Sequence, residues 1–154
     1  MKGIVIASHG NMAQGILDTS KLFFGEQEQM KAFCLQANDN PDDFVEVLRQ
    51  GIKDVDSGDG VVVFCDMLFG SPCNCMMRIL SEDLDNPKLD VICGVNLAMI
   101  LQILAVRECS DCSVQELLDA GHQGIADLKA TVKANMQQWK RMWQHILLLC
   151  LLFS

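Results

Sequence analysis

Two kinds of hydrophobic pattern alternate along most of the chain. Four short, nearly continuous apolar runs have strand length: Gly3–Ala7, Met30–Leu35, Gly60–Cys65 and Leu89–Cys93. Between them the apolar positions return every three or four residues, as on one face of a helix. Met12, Ile16, Leu17 and Ser20 form one such face, predicted to continue to Phe23 and Phe24 before Gly25 stops it. In NDNPDDFVEVLRQGI, Asn40 is placed to cap a helix and Pro41 to open it. Asp42 and Asp43 follow in the first turn, and Phe44, Val45, Leu48 and Ile52 make the buried stripe.

The later segments continue the alternation. GSPCNCMMRIL offers Ser71 as a cap and Pro72 as the first helical residue, with Met76, Met77, Ile79 and Leu80 predicted to face inward. Asn96–Arg107 reads as an apolar helix, and SVQE at Ser113–Glu116 is a capping box opening a last long helix through roughly Lys133. Strands of this kind, alternating with helices, predict an α/β fold: an open, mostly parallel four-stranded sheet with helices on both faces. No internal repeat or low-complexity linker divides it. Residues 1–133 are therefore read as one domain and 134–154 as a C-terminal extension. The extension ends in an apolar run, Ile146–Phe153, far short of the roughly 20 residues of a spanning helix. It reads as an interface element or a sequence remnant or, with Lys140 and Arg141 beside Trp139 and Trp143, as a membrane-surface segment.

Charge and cysteine usage narrow the function. A formal charge of −8 repels a phosphate backbone, so nucleic acid is not an expected partner. The N-terminus runs straight into a strand without a signal-peptide pattern. Of the eight cysteines, Cys34, Cys65 and Cys93 lie inside apolar runs, as small reduced hydrophobes do. The expected setting is cytoplasmic, with no cofactor and no metal.

Open parallel sheets bind ligands beyond the carboxyl ends of their strands. His9 follows the first strand, Asp66 the third and Asn96 the fourth. If the first and third strands are neighbours, His9 and Asp66 share one crevice. A carboxylate bonded to one ring nitrogen fixes the tautomer and leaves the other nitrogen's lone pair free. That pair serves a nucleophile, a general base or a metal ligand equally well. Gly70 and Ser71, at a helix start, and Gly10, at the start of the first helix, are placed to offer N–H groups to an anion.

The segments IVIASHG, FCDMLFGSPCN and VICGVNLAMI closely resemble three segments of the enzyme IIA domains of the mannose family. These belong to the bacterial phosphoenolpyruvate-dependent sugar phosphotransferase system. The resemblance spans Met1 to about Lys133, in the same order and spacing. It implies a cytoplasmic, dimeric carrier that takes a phosphoryl group from HPr on His9. The carrier would pass that group to a histidine of a IIB domain, for a sugar entering through the membrane subunits IIC and IID of a permease complex. It also implies that Asp66 orients the ring, that Ser71 lies near the phosphoryl group, and that Gly94–Asn96 borders the site. No IIB segment follows, so a free-standing IIA subunit, or one cut at its linker, is expected. The chain departs from the family at Met67, Leu68 and Phe69, where a second glycine or a tryptophan is common, and in the cysteine-rich SPCNC. A reactive carrier must be reached by two partners, so His9 is expected at least half exposed, rimmed by Met12, Met67, Leu68 and Phe69.

Other functions fit less of the sequence. Cys109-x-x-Cys112 and Cys73-x-Cys75 suggest redox or metal chemistry, but the first pair lies late in the chain and has no second pair at zinc spacing. A phosphoaspartate receiver needs an acidic cluster after the first strand, where Ser8 and His9 stand. The phosphocarrier subunit that feeds dihydroxyacetone kinase has a similar fold but lacks SPCN. A non-catalytic dimeric binding module would not need the His9 and Asp66 pair. His122 and His145, on or after the last helix, read as solvated or interface residues.

Overall fold

Each apolar run becomes a strand, and the amphipathic stretches between them close the crossovers that parallel pairing requires. The computed structural model describes residues 1–108 and 113–152, with side-chain surroundings described through residue 140. Strands β1 (Gly3–His9), β2 (Met30–Leu35), β3 (Val61–Cys65) and β4 (Leu89–Cys93) form one sheet in the order β2-β1-β3-β4, every pair parallel. The first strand outruns its apolar run because pairing with β2 carries it to His9 opposite Leu35. The third begins at Val61, since Gly60 turns with φ +85° and an added Cβ there would strike the Lys88 carbonyl oxygen.

Alternation along the strands feeds two cores. Ile4, Ile6, Val62, Phe64 and Ile92 point to the face covered by α1 (Met12–Phe24), α4 (Leu97–Val106) and α5 (Val114–Gln123). Val5, Ala7, Val61, Val63 and Cys65 point to the face covered by α2 (Pro41–Val55) and α3 (Ser71–Leu80). Burial on both faces explains why the strands read as unbroken apolar runs. Each fully buried Val, Ile or Phe among them contributes about 1.5–3 kcal/mol.

The helices refine the sequence reading at four points. The inner face of α1 stops at Ser20, leaving Phe23 and Phe24 exposed. In α2, Gly51 and Val55 complete the buried stripe and Ile52 is half-buried. In α3 the inward residues are Cys73, Cys75, Met76 and Ile79; Met77 is exposed and Leu80 half-buried. The capping box at Ser113–Glu116 forms as expected, but its helix ends at Gln123 with Gly124 as cap. A new helix, α6 (Leu128–Leu152), starts where Asp127 accepts a hydrogen bond from the Ala130 N–H.

Met1–Gly124 is one compact unit and Ile125–Ser154 a second. No helix among the described residues is long and apolar enough to cross a membrane. The Cys109–Cys112 pair and the side chains of Trp143, His145 and Ile146–Phe153 lie outside what the structure describes.

Candidate functional site

Strand register builds the site. Ala7 and Cys65 are paired, and the Asp66 N–H donates to the Ala7 carbonyl at 3.2 Å, so Asp66 leaves β3 alongside the end of β1. Its Oδ2 accepts the His9 backbone N–H at 2.8 Å and meets the ring Nδ1 at 2.7 Å, while Oδ1 accepts the Met67 N–H at 2.8 Å. The Asp66 side chain is only 10% exposed, whereas that of His9 is 42% exposed. Burial pushes the Asp66 carboxyl toward its neutral form. The bonds from the His9 backbone, the His9 ring and the Met67 N–H outweigh that and hold it below the ordinary carboxylate range.

These partners also assign the ring. A carboxylate only accepts, so Nδ1 carries the hydrogen. On the other edge, the Ser71 N–H donates to Nε2 at 3.3 Å, which requires a lone pair there. Asp66 and the start of α3 thus select the same tautomer from opposite sides.

The start of α3 differs from the sequence reading in a useful way. Gly70 is the N-cap and Ser71 the first helical residue, so Ser71 meets the ring through its backbone N–H, not as a side-chain cap. Gly70 has an ordinary φ of −70°, and its glycine requirement is spatial: an added Cβ would lie 2.8 Å from His9 Cε1 and 2.7 Å from Met67 Cγ. Gly10 is the converse. Its φ of +52° makes the turn into α1, and its N–H is taken by the Leu35 carbonyl at 2.9 Å, so it is not open to a ligand. The cap of α1 comes from buried Ser8, whose Oγ accepts the Ala13 N–H at 2.7 Å. Asn96 caps α4 through Met99 N–H and donates to the Gly121 carbonyl, so its side chain is committed to structure.

An open crevice runs from His9, Gly10 and Ser71 to Leu35, Gln36, Ala37, Asp39 and Pro41. Sequence reasoning took the residues after β2 only as a helix start and not as part of the site. The signal for them was present, since β2 ends beside β1 and the carboxyl-end rule applies to it equally. Met12, Met67, Leu68 and Phe69 are 45%, 55%, 59% and 70% exposed, so the expected apolar residues are at the surface. Phe69 sits at φ +61°, a left-handed conformation costly for a bulky residue, and the Asn74 side chain donates to its carbonyl at 3.2 Å.

Behind the site, Cys73 Sγ lies 3.4 Å from Cys93 Sγ, and burial pushes the Cys93 thiol up to about 11 and the Cys65 thiol up as well. Cys65 and Cys93 are structural thiols at neutral pH. The described residues contain no cluster of three His, Cys, Asp or Glu side chains suited to a metal.

The site therefore presents a half-exposed imidazole of fixed tautomer, with its lone-pair nitrogen at a helix N-terminus. Attack on an anionic electrophile suits it, because helix-end N–H groups favour anionic oxygens.

Comparison with known proteins identifies a family. The family EIIA-man, PTS system fructose IIA component, matches residues 3–121. The PTS system mannose-specific EIIAB component of Escherichia coli K12 is 32% identical over 131 residues, covering 82% of this chain and 39% of that protein. The chain therefore spans well under half the length of that relative. The PTS system fructose-specific EIIA component of Bacillus subtilis is 26% identical over 138 residues, covering 90% of this chain and 84% of that one. Among solved structures, the PTS IIA protein associated with the fucose utilization operon of Streptococcus pneumoniae superposes with a TM-score of 0.77. It is 26% identical and covers 85% of this chain and 96% of that one.

Proposed function

The chain belongs to the EIIA-man family of sugar phosphotransferase system IIA components, and from that premise we propose that it carries a phosphoryl group on His9 Nε2, received from phospho-HPr and passed to a histidine of a IIB partner. The observation that carries this reading is the ring held between Asp66 on Nδ1 and the Ser71 N–H on Nε2.

In the forward step the Nε2 lone pair attacks the phosphorus of the donor's phosphohistidine. A P–N bond forms on His9 as the donor's P–N bond breaks, and the donor ring departs with its electron pair. The Nδ1 hydrogen stays in its bond to Asp66, whose negative charge stabilises the imidazolium character that His9 gains. The Ser71 N–H, relieved of the lone pair, is placed to meet a phosphoryl oxygen, with the Ser71 hydroxyl alongside. Gly70 contributes by leaving room for the ring, and Gly10 by turning the chain into α1. Such a transfer asks mainly for alignment and charge stabilisation, which this arrangement supplies. The second step is the same displacement, with the IIB histidine as nucleophile.

Partners must reach a shallow site, and the exposed Met12, Met67, Leu68 and Phe69 supply apolar surface for that. The proposed assembly is a homodimer. It serves a permease whose IIC and IID subunits, reached only through IIB, choose the sugar.

The test is intact mass at alkaline pH after incubation with phosphoenolpyruvate, enzyme I and HPr, with His9→Ala in parallel. One added phosphoryl group on the native chain and none on a folded His9→Ala variant is the expected result. No addition with active carriers, or addition surviving the substitution, would remove His9 from the role.

A further inference from the structure

The acidic character of the chain is not evenly spread. Residues 1–127 hold all twenty acidic side chains and eight of the twelve basic ones, a formal charge of −12. Residues 128–154 hold Lys129, Lys133, Lys140 and Arg141 and no acid at all. This basic segment coincides with α6.

The described part of α6 is amphipathic, with its apolar side chains exposed. Leu128, Val132, Met136 and Trp139 are 73%, 47%, 57% and 61% exposed. At about 100° per residue these four fall within an arc of about 80°, and Lys129, Lys133 and Lys140 lie together along one edge of it. All residues from His122 to Lys140 are exposed. We infer that α6 lies flat on an anionic bilayer surface, with this apolar stripe entering the headgroup boundary and the lysines meeting lipid phosphates.

Charge complementarity selects that occupant. A second α6 packed antiparallel, stripe to stripe, would bring the lysine edges of both helices together, and a parallel pair would leave each edge beside a helix with no acidic residue to answer it. A bilayer instead accepts Trp139 at the interface and lets the lysine stems lie along the apolar boundary with their charges in water. Each basic residue near an anionic leaflet strengthens binding roughly fivefold. No helix among the described residues is long and apolar enough to span, so the inference concerns the surface only. This inference is independent of the phosphocarrier reading.

The protein carries its own probe, because its two tryptophans, Trp139 and Trp143, both lie in α6. The full chain is titrated with vesicles of phosphatidylglycerol and phosphatidylcholine in equal parts, and with phosphatidylcholine alone, while tryptophan emission and acrylamide quenching are followed. The expected result is a blue shift and loss of quenching with the anionic vesicles only, reversed by raising salt. The triple variant Lys129→Gln, Lys133→Gln, Lys140→Gln is expected to lower the partition roughly a hundredfold. Its circular dichroism should be unchanged, since all three side chains are exposed. Three results would overturn the inference: no shift with anionic vesicles, equal binding to neutral ones, or emission already blue-shifted without lipid in a chain that sediments as an oligomer through this helix.

Discussion

Substituting Gly70 by alanine isolates the placement of the His9 ring from every change of reactive group. The backbone there has φ −70°, comfortable for alanine, so the effect is spatial. The new Cβ would stand 2.8 Å from His9 Cε1 and 2.7 Å from Met67 Cγ. Met67 is exposed and moves aside cheaply, whereas the ring is held on both edges. Reaching ordinary contact requires a ring displacement of about 0.6 Å, estimated against a normal carbon contact of about 3.4 Å. The Ser71 N–H bond, already 3.3 Å long, is the one that breaks. A misplacement approaching 1 Å costs on the order of 10²-fold in rate, so phosphorylation should slow by roughly 10- to 100-fold. Stability should barely move. The lost bond costs about 0.5–1.5 kcal/mol, and restricting the unfolded chain returns about 0.4–1 kcal/mol. The assay is the rate of phosphoryl uptake from phospho-HPr, beside a thermal melt and the imidazole ¹⁵N spectrum. A rate within twofold of the native one, with an unperturbed Nδ1–H signal, would refute the steric argument. Loss of folding would show that Gly70 serves the core.

Three further predictions concern the ring's neighbours. Asp66→Asn offers an N–H to Nδ1 and so favours the wrong tautomer, slowing uptake by about an order of magnitude or more with the fold retained; an unchanged rate would remove Asp66 from the mechanism. The same pair of proteins predicts a pH dependence. A carboxyl held below its ordinary value stabilises the fold above the unfolded-chain pKa of about 3.9 and loses that contribution as pH falls through its lower folded value. The native protein's stability advantage over Asp66→Asn should therefore close as pH falls below about 4; an advantage that grows below that pH would reverse the sign. Ser71→Ala keeps the backbone N–H, whereas Ser71→Pro removes it at a helix position that tolerates proline. Uptake should fall further in the proline variant, and equal losses would transfer the role to the hydroxyl.

The sheet was legible in the sequence because both of its faces are covered. Unbroken apolar runs such as Val61–Cys65 have no other good reading between Gly60 and Asp66. Placing His9 and Asp66 together required only that β1 and β3 be neighbours, which they are. What escaped was geometry below the scale of an element. Whether Ser71 or Gly70 caps α3 shifts the helix start by one residue, and both residue types are good caps. Gly10 reads as a donor until its N–H is seen to be taken by Leu35 across the sheet. Met77 looks inward by composition, yet Cys73, Cys75, Met76 and Ile79 already fill that side of α3. The break at Gly124 was hidden because an isolated glycine is tolerated in helices, and the apolar spacing resumes beyond it.

His9 reaches its ring partners across long stretches of chain: Asp66 is 57 residues away and the Ser71 N–H 62. During synthesis the histidine is therefore made long before its surroundings exist. At 5–20 residues per second, roughly 3–12 s pass between the addition of His9 and that of Ser71. For most of that interval β1 lacks its neighbour β3, and for all of it the helix that meets the imidazole, so no early fragment can hold the ring in the orientation seen here. On the proposed reading the nascent chain becomes competent only when it has become a sheet, and a chain released before α3 would carry the histidine without its partners.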